Sequence, residues 1–273
     1  MSRKLSKPAA VAFLAICAAV TLFPMCWMYY TSFSASESIQ RIPPVLFPRD
    51  FTFENYAALL SHSAMPLWLV NSLAVATVIT MAQLLFNSMA GFALGRKQFV
   101  GRTAIFWVIV ATMMVPAQVI VVPLYLMMAR FHMIDSLFAL ILPAVAGPYG
   151  IFLMKQYLEG LPRDLEDAAR IDGCSEWGVY RQVILPLSKP VLGVLAIFVF
   201  ISNWNAFLWP LIVLNSSQRY TLTVGLATLQ DKHLLDYGLL MAGASVAATP
   251  LIAVFLIFQK FAVKGITVGA LKG

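Results

Sequence analysis

Charge is scarce in this sequence of 273 residues: Asp, Glu, Lys and Arg together make up 11% of it, against 60% hydrophobic positions. A water-soluble domain of this length cannot cover its surface with so little, and a mean hydropathy of +0.82 excludes that class. Cysteine is almost as sparse. Cys17, Cys26 and Cys174 make neither an even disulfide framework nor a metal spacing, and three histidines with no Cys or carboxylate cluster beside them leave nothing for zinc or iron. The chain also lacks a Gly-x-x-x-x-Gly-Lys-Ser/Thr loop, and no Gly-Lys pair occurs anywhere, so it cannot cradle ATP by that route. A carboxylate pair or nucleophile-base set is missing from the apolar runs, which removes a membrane enzyme.

What is abundant is long apolar sequence. About 20 apolar residues cross a bilayer core as a helix, and six runs meet that length: Pro8 to Tyr30, Leu69 to Gly95, Thr103 to Met128, Ser136 to Met154, Val191 to Pro210, and Leu239 to Phe261. The period-two alternation of a barrel is absent, so the expected fold class is an all-α membrane protein with six transmembrane helices in a single domain over 1–273. The first run follows Arg3, Lys4 and Lys7 as a signal core would. It has no charge until Glu37 and ends in Trp27, Tyr29 and Tyr30, which reads as a retained anchor with an aromatic belt.

The net charge of +7 does not point to nucleic acid, because the basic residues fall in short clusters between the runs. Fourteen Lys and Arg fall on one side: Arg3, Lys4 and Lys7, then Arg96, Lys97 and Arg102, five between Lys155 and Lys189, and Lys260, Lys264 and Lys272. The other side has five, Arg41, Arg49, Arg130, Arg219 and Lys232. The positive-inside rule then places both termini and the segment 155–189 in the cytoplasm. Loops expected outside are Thr31 to Trp68, a turn at His132, and Ile212 to Tyr237. Pro24, Pro116, Pro123, Pro143, Pro148 and Pro250 fall within the runs or at their edges, where each removes a backbone donor and bends its helix.

Segment 155–189 is a charged island, with five basic and six acidic residues in 35 positions. Pro162 suits a first turn, and Asp164, Glu166 and Asp167 favour the positive end of a helix dipole. Leu161, Leu165 and Ala168/Ala169 recur at helical spacing as one apolar stripe. Gly173 is placed to stop this helix, Ser175 to cap a second that presents Trp177, Tyr180 and Ile184, and Pro186 and Pro190 to end it. An interfacial lipid-binding helix carries a basic face, whereas here acids outnumber bases. The pattern favours a plug for a groove on a soluble partner.

Asp167-Ala168-Ala169, three residues, Gly173, nine residues, then Val183-Ile184-Leu185-Pro186 resembles the signature of the permease subunits of binding-protein-dependent ABC importers. Asp167 stands for the usual Glu and Val183 for Ile; both substitutions keep charge or shape. Asn71-Ser72, Trp204-Asn205, Trp209-Pro210 and the ending Lys264-Gly265-Ile266-Thr267 to Leu271-Lys272-Gly273 are similar to the carbohydrate permeases of the maltose-transporter type. The resemblance implies a bacterial inner-membrane protein that pairs with a second permease, docks two ATPase subunits and receives a sugar or sugar derivative from an extracytoplasmic binding protein. It also implies that ATP and magnesium are held by the partners, and that Glu166, Asp167, Ala168, Ala169, Asp172, Gly173, Leu185 and Pro186 transmit their motion.

Sugar sites combine aromatic faces with amides and hydroxyls. Asn203, Trp204 and Asn205 in the fifth run, Gln83 and Asn87 in the second, and Gln118 in the third are therefore candidates for the translocation path, although amides in a membrane also serve as interhelical glue. The alternative is an ion-coupled secondary transporter. It is disfavoured because the spans contain no Asp, Glu, Lys or Arg in their interiors and the sequence shows no inverted repeat.

Overall fold

The computed structural model describes residues 7–39, 50–62, 64–232 and 236–270. Arg3, Lys4, Arg41, Arg49 and the last three residues of the expected ending lie outside the described residues, as do the side chains of Lys232, Lys260 and Lys264.

Among the described residues four helices are long and apolar enough to cross a membrane: Lys7–Ser32, Met65–Arg96, Phe138–Glu159 and Tyr237–Gln259. Two more runs are broken helices, so the six expected runs appear as four helices, of which Phe138–Glu159 is interrupted at 145–147, and two bent pairs. Arg102–Thr112 and Ala117–Arg130 meet at 100°, and Glu176–Leu187 and Lys189–Trp204 at 74°. The third run was expected to be one helix. Its break falls at Met113 to Pro116, where the proline has no N–H to donate and its ring disfavours helical geometry in the residue before it.

The fifth run also differs from expectation. Its helix stops at Trp204, with Asn205 as C-cap, and Trp209-Pro210 belong to a separate short helix, Leu208–Val213. Two helices sit in segments expected as loops, Glu54–His62 and Leu222–Lys232.

The chain divides into two compact units. One comprises residues 1–66 and 225–250. In it the Asn55 amide donates to the carbonyls of Ser32 and Ser34 at 2.9 and 2.8 Å, which satisfies backbone left open where the first span ends. Phe33 stacks on Phe51 at 5.0 Å and lies against Tyr56 at 4.9 Å.

The other unit comprises residues 67–224 and 251–273. Its core gathers Val75, Ile79, Met154, Leu158, Leu195 and Val199 from the second, fourth and fifth spans, with Val179, Tyr180 and Ile184 from the island. The second and fourth spans approach closely because their contact is made of glycines. A Cβ on Gly91 would come within 3.0 Å of Met154 Cβ, one on Gly95 would lie 3.3 Å from the Lys155 carbonyl, and one on Gly150 would strike the Asn87 amide. Small residues four apart are how membrane helices bring their backbones together.

Candidate functional site

The island folds as two short helices joined by a turn. The first, Asp164–Ile171, carries Asp164, Glu166 and Asp167 in its first turn. It ends as the glycine predicted. Gly173 has φ +84°, its N–H donates to the Arg170 carbonyl at 3.0 Å, and the Cys174 N–H reaches back to the Ala169 carbonyl at 2.9 Å. Those two bonds are the paired closure of a left-handed C-terminal cap. Ser175 caps the next helix, its hydroxyl accepting from the Gly178 N–H at 3.2 Å.

That second helix does not stop at Pro186. It runs from Glu176 to Leu187, with wider π turns over Val179–Ile184, and the bend comes at Ser188. In a regular α-helix the Pro186 ring would collide with the carbonyl four residues back, and the wider turns immediately ahead of it relieve that clash. Pro190 begins the following helix, in its first turn.

The apolar stripe divides between inside and outside. Ala169 and Glu166 face inward, whereas Leu165, Ala168 and Ile171 are exposed, Ile171 by 86%. Trp177 is exposed as well, its ring 5.1 Å from that of Tyr180, which is buried and shares a 2.7 Å hydrogen bond with Ser88 of the second span. The exposed face also carries Asp167 and Asp172. Leu185 and Pro186 lie past the π turns, Leu185 packed against the core.

Glu166 is 3% exposed, and no isolated carboxylate tolerates such burial. Its partner is Arg96, the last residue of the second span and 7% exposed. Arg96 pairs through Nε with Glu166 Oε1, and its two terminal nitrogens donate to the Leu161 and Pro162 carbonyls, each at 3.1 Å. The other Glu166 oxygen accepts from Arg170 at 3.2 Å. Arg170 in turn reaches Asp167 at 2.7 Å and Glu176 at 3.2 Å, and Lys97 pairs with Glu176. Removing one member of a buried pair such as Arg96 with Glu166 costs about 3–5 kcal/mol, because the other charge is stranded. Burial and the neighbouring Arg170 hold the Lys97 amine below its usual range, with Glu166 opposing them. Beside this chain, Lys155 bonds Glu159 at 2.8 Å and sits 4.1 Å over the Phe106 ring.

Of the six path candidates, the structure brings Gln83 and Asn87 together. Gln83 donates to the Ala144 carbonyl at 2.8 Å, and Asn87 accepts from the Gly147 N–H at 3.1 Å while donating to Gln83. Both amides thus serve the break in the fourth span before Pro148, where backbone groups have left the helix and have no water to turn to. Asn203 donates to the Val199 carbonyl one turn back. Trp204 is buried and stacked on Phe200 at 5.7 Å, whereas Asn205 and Gln118 are exposed. A cavity of roughly 400 Å³ touches none of the six. Its walls are mainly apolar, among them Met81, Leu84, Leu192 and Phe200, with Thr77, Thr80 and Lys189 the polar members of the lining.

At the far end of this unit, Asp135 clamps the loop after Val213. One carboxylate oxygen accepts the N–H groups of Asn215 and Ser216, each at 2.9 Å; the other accepts the Ser216 hydroxyl, and Arg219 donates to the Asp135 carbonyl. Burial raises the Asp135 carboxyl, but those hydrogen bonds and the Arg219 charge outweigh it and hold the group below its usual range. Trp68 and Asn71 hold the same loop through the carbonyls of Ser217, Gln218 and Tyr220, and Ser72 accepts the Leu222 N–H. Asn71 and Ser72, noted in the sequence for their resemblance, are thus loop anchors.

Sequence reasoning passed over Arg96 and Lys97, treating them only as markers of orientation. No spacing rule pairs residues 70 positions apart. The glycines at 91 and 95 were legible, since their four-residue spacing in an apolar helix is itself a packing signal.

Residues 87–268 match the family described as binding-protein-dependent transport system inner membrane component. The chain is 39% identical over 255 residues to the arabinooligosaccharides transport system permease protein AraQ of Bacillus subtilis, covering 92% of this chain and 91% of that protein. It is 34% identical over 261 residues to the trehalose/maltose transport system permease protein MalG of Thermococcus litoralis, covering 94% and 93%. Its fold superposes with a TM-score of 0.82 on a chain from the crystal structure of a bacterial ABC transporter involved in the import of the acidic polysaccharide alginate, at 22% identity and covering 95% of this chain and 99% of that one.

Proposed function

This chain belongs to the inner-membrane component family of binding-protein-dependent transport systems, and on that footing we propose that it is one permease of a carbohydrate ABC importer whose island is the docking element for the ATPase subunits. The observation that carries the reading is the outward face of the two short helices. Leu165, Ala168, Ile171 and Trp177 offer apolar surface beside Asp167 and Asp172, on an element braced from within by Arg96. An exposed apolar face with acidic neighbours fits a groove lined by apolar and basic side chains.

Two ATPase subunits hold ATP and magnesium, and their closure moves the docked helices. The chain supplies half of the path and a second permease the other half. The cargo is a sugar or sugar derivative delivered by a binding protein outside a bacterial inner membrane. The relatives' names support the carbohydrate class.

The test is copurification from native membranes. Asp167→Lys and Asp172→Lys are expected to release the ATPase subunits while the second permease stays bound, and uptake from a panel of labelled oligosaccharides falls with them. ATPase subunits retained by both variants would sink the docking assignment. Orientation is checked separately: with Cys17 and Cys26 replaced by Ser, an impermeant maleimide should label Cys174 in inside-out vesicles and not in intact cells.

A further inference from the structure

A docked helix can drive a transporter only if its displacement reaches a span, and the connection along the chain is poorly suited to that. Residues 160 to 163 between the fourth span and the first short helix form an irregular link with a glycine and a proline. On the other side, the second short helix meets the fifth span at a 74° bend. Both sequence-adjacent routes are therefore hinged.

The stiff route runs across the chain. Arg96 closes the last turn of the 32-residue helix Met65–Arg96, and its planar guanidinium engages three acceptors at once: Glu166 and the carbonyls of Leu161 and Pro162. These acceptors flank and open the helix Asp164–Ile171, so one fork fixes both the helix and the link that precedes it. The site is nearly dry, which strengthens each charge-assisted bond and denies it water as a substitute partner. Lys97, the next residue, grips the second short helix through Glu176, and Arg170 ties Glu176 back to Glu166. Directly above, the second and fourth spans touch through glycines, so the helix that receives the load has little room to slip.

We propose that Arg96 is a positioning residue for coupling: its three-acceptor fork is the rigid joint that delivers movement of the docked helix Asp164–Ile171 to the second span. Glu166 then acts inside the chain, as the receiving half of that joint, and Asp167, one residue on, is left for the outer partner. The inference rests on the docking reading above.

Arg96→Lys separates the joint from mere charge balance. Lysine keeps the cation beside Glu166 but lacks the planar fork that engages three acceptors together. The assembled complex is reconstituted in lipid and trapped with ATP and vanadate, and an environment-sensitive thiol fluorophore reports from one of two places. One is native Cys174, with Cys17 and Cys26 replaced by Ser; the other is Val70→Cys near the far end of the second span, with all three native cysteines replaced. In the parent both reporters respond to trapping. In Arg96→Lys the response at Cys174 persists, and the response at residue 70 falls relative to it by about two- to thirtyfold, the range over which mutations along a coupling route act. This ratio does not depend on how much complex survives purification, so a loss of stability alone does not move it.

An unchanged ratio overturns the joint. Silence at Cys174 in the parent itself overturns the docking reading instead. Should Arg96→Lys fail to assemble, Glu166→Gln goes through the same measurement with the same expected fall. Assembly from neither variant assigns the pair to folding alone and overturns the proposal.

Discussion

The hydroxyls of Ser88 and Tyr180 lie 2.7 Å apart in a fully buried contact that ties the second span, about two turns before its end, to the second short helix. Ser88 has a further acceptor in the Leu85 carbonyl at 2.9 Å, so it keeps a partner if Tyr180 loses its hydroxyl. Tyr180→Phe should therefore cost only about 0.5–1.5 kcal/mol, the net worth of one hydrogen bond, with the ring still packed on Phe92. Ser88→Val, which strands the tyrosine hydroxyl in a dry site, should cost more. Thermal unfolding of the two variants in detergent gives the order, and the reverse order refutes the assignment.

Glycines in helix interiors usually gain stability on replacement by alanine, by about 1 kcal/mol. At Gly91 and Gly150 the sign should invert. A methyl group at Gly91 meets Met154 Cβ and neighbouring backbone, which cannot swing aside, and one at Gly150 displaces the Asn87 amide that serves Gly147. Overpacking of this kind costs about 1–3 kcal/mol. Loss of monodisperse protein on heating measures it, and a rise in melting temperature for Gly91→Ala would contradict the packing.

Gly173 presents the opposite case, since nothing lies within 4 Å of the position its Cβ would take. Only the backbone objects. Ala should cost about 1–2 kcal/mol for the left-handed φ, Asn less, and Pro most, because it can neither adopt +84° nor donate to the Arg170 carbonyl. Coupled uptake should follow the order Gly, Asn, Ala, Pro, and equal uptake from Pro would refute the turn's role.

Asp135 carries a pH signature. Its folded pKa lies below the ordinary value of 3.8, so its contribution to stability is fully present above that value and is lost as pH falls through the lower folded one. Asp135→Asn should destabilise by about 1–3 kcal/mol at neutral pH. The gap in melting temperature between variant and parent should hold from pH 8 to pH 5 and close below 3.8. A gap that widens in acid would refute the clamp.

Much of this was legible in the sequence because bilayer physics leaves few options. Run length located the spans, Gly173 and Ser175 marked the turn through single-residue backbone rules, and the signature from Asp167 to Pro186 identified the family. Three things were not legible, each for a physical reason. A 100° break within an apolar run leaves hydropathy unchanged, so the third span read as continuous. The split of the stripe, with Ala169 inward and Ala168 outward, depends on which wall the helix leans against. The bonds that Gln83 and Asn87 make to the interrupted fourth span were hidden too, because an amide that feeds an interrupted helix has the same letter as one that binds a sugar.

The wide turns at Val179 to Ile184 make the island's heading a matter of residue count. A π turn holds one residue more than an α turn, and each residue of α-helix advances the chain by about 100°. Pro186→Ala, which removes the clash, would let the helix revert to regular winding over 179–184 with its residue count unchanged. Everything ahead of it, Trp177 and the Gly173 turn included, would then swing by more than a quarter of a revolution about the helix axis, and Lys97 would find Glu176 pointing elsewhere. The segment is thus an indexing device, and Pro186→Ala should do more harm than most substitutions on the face it aims, whereas adding a one-residue deletion within 179–184 to it should restore the heading.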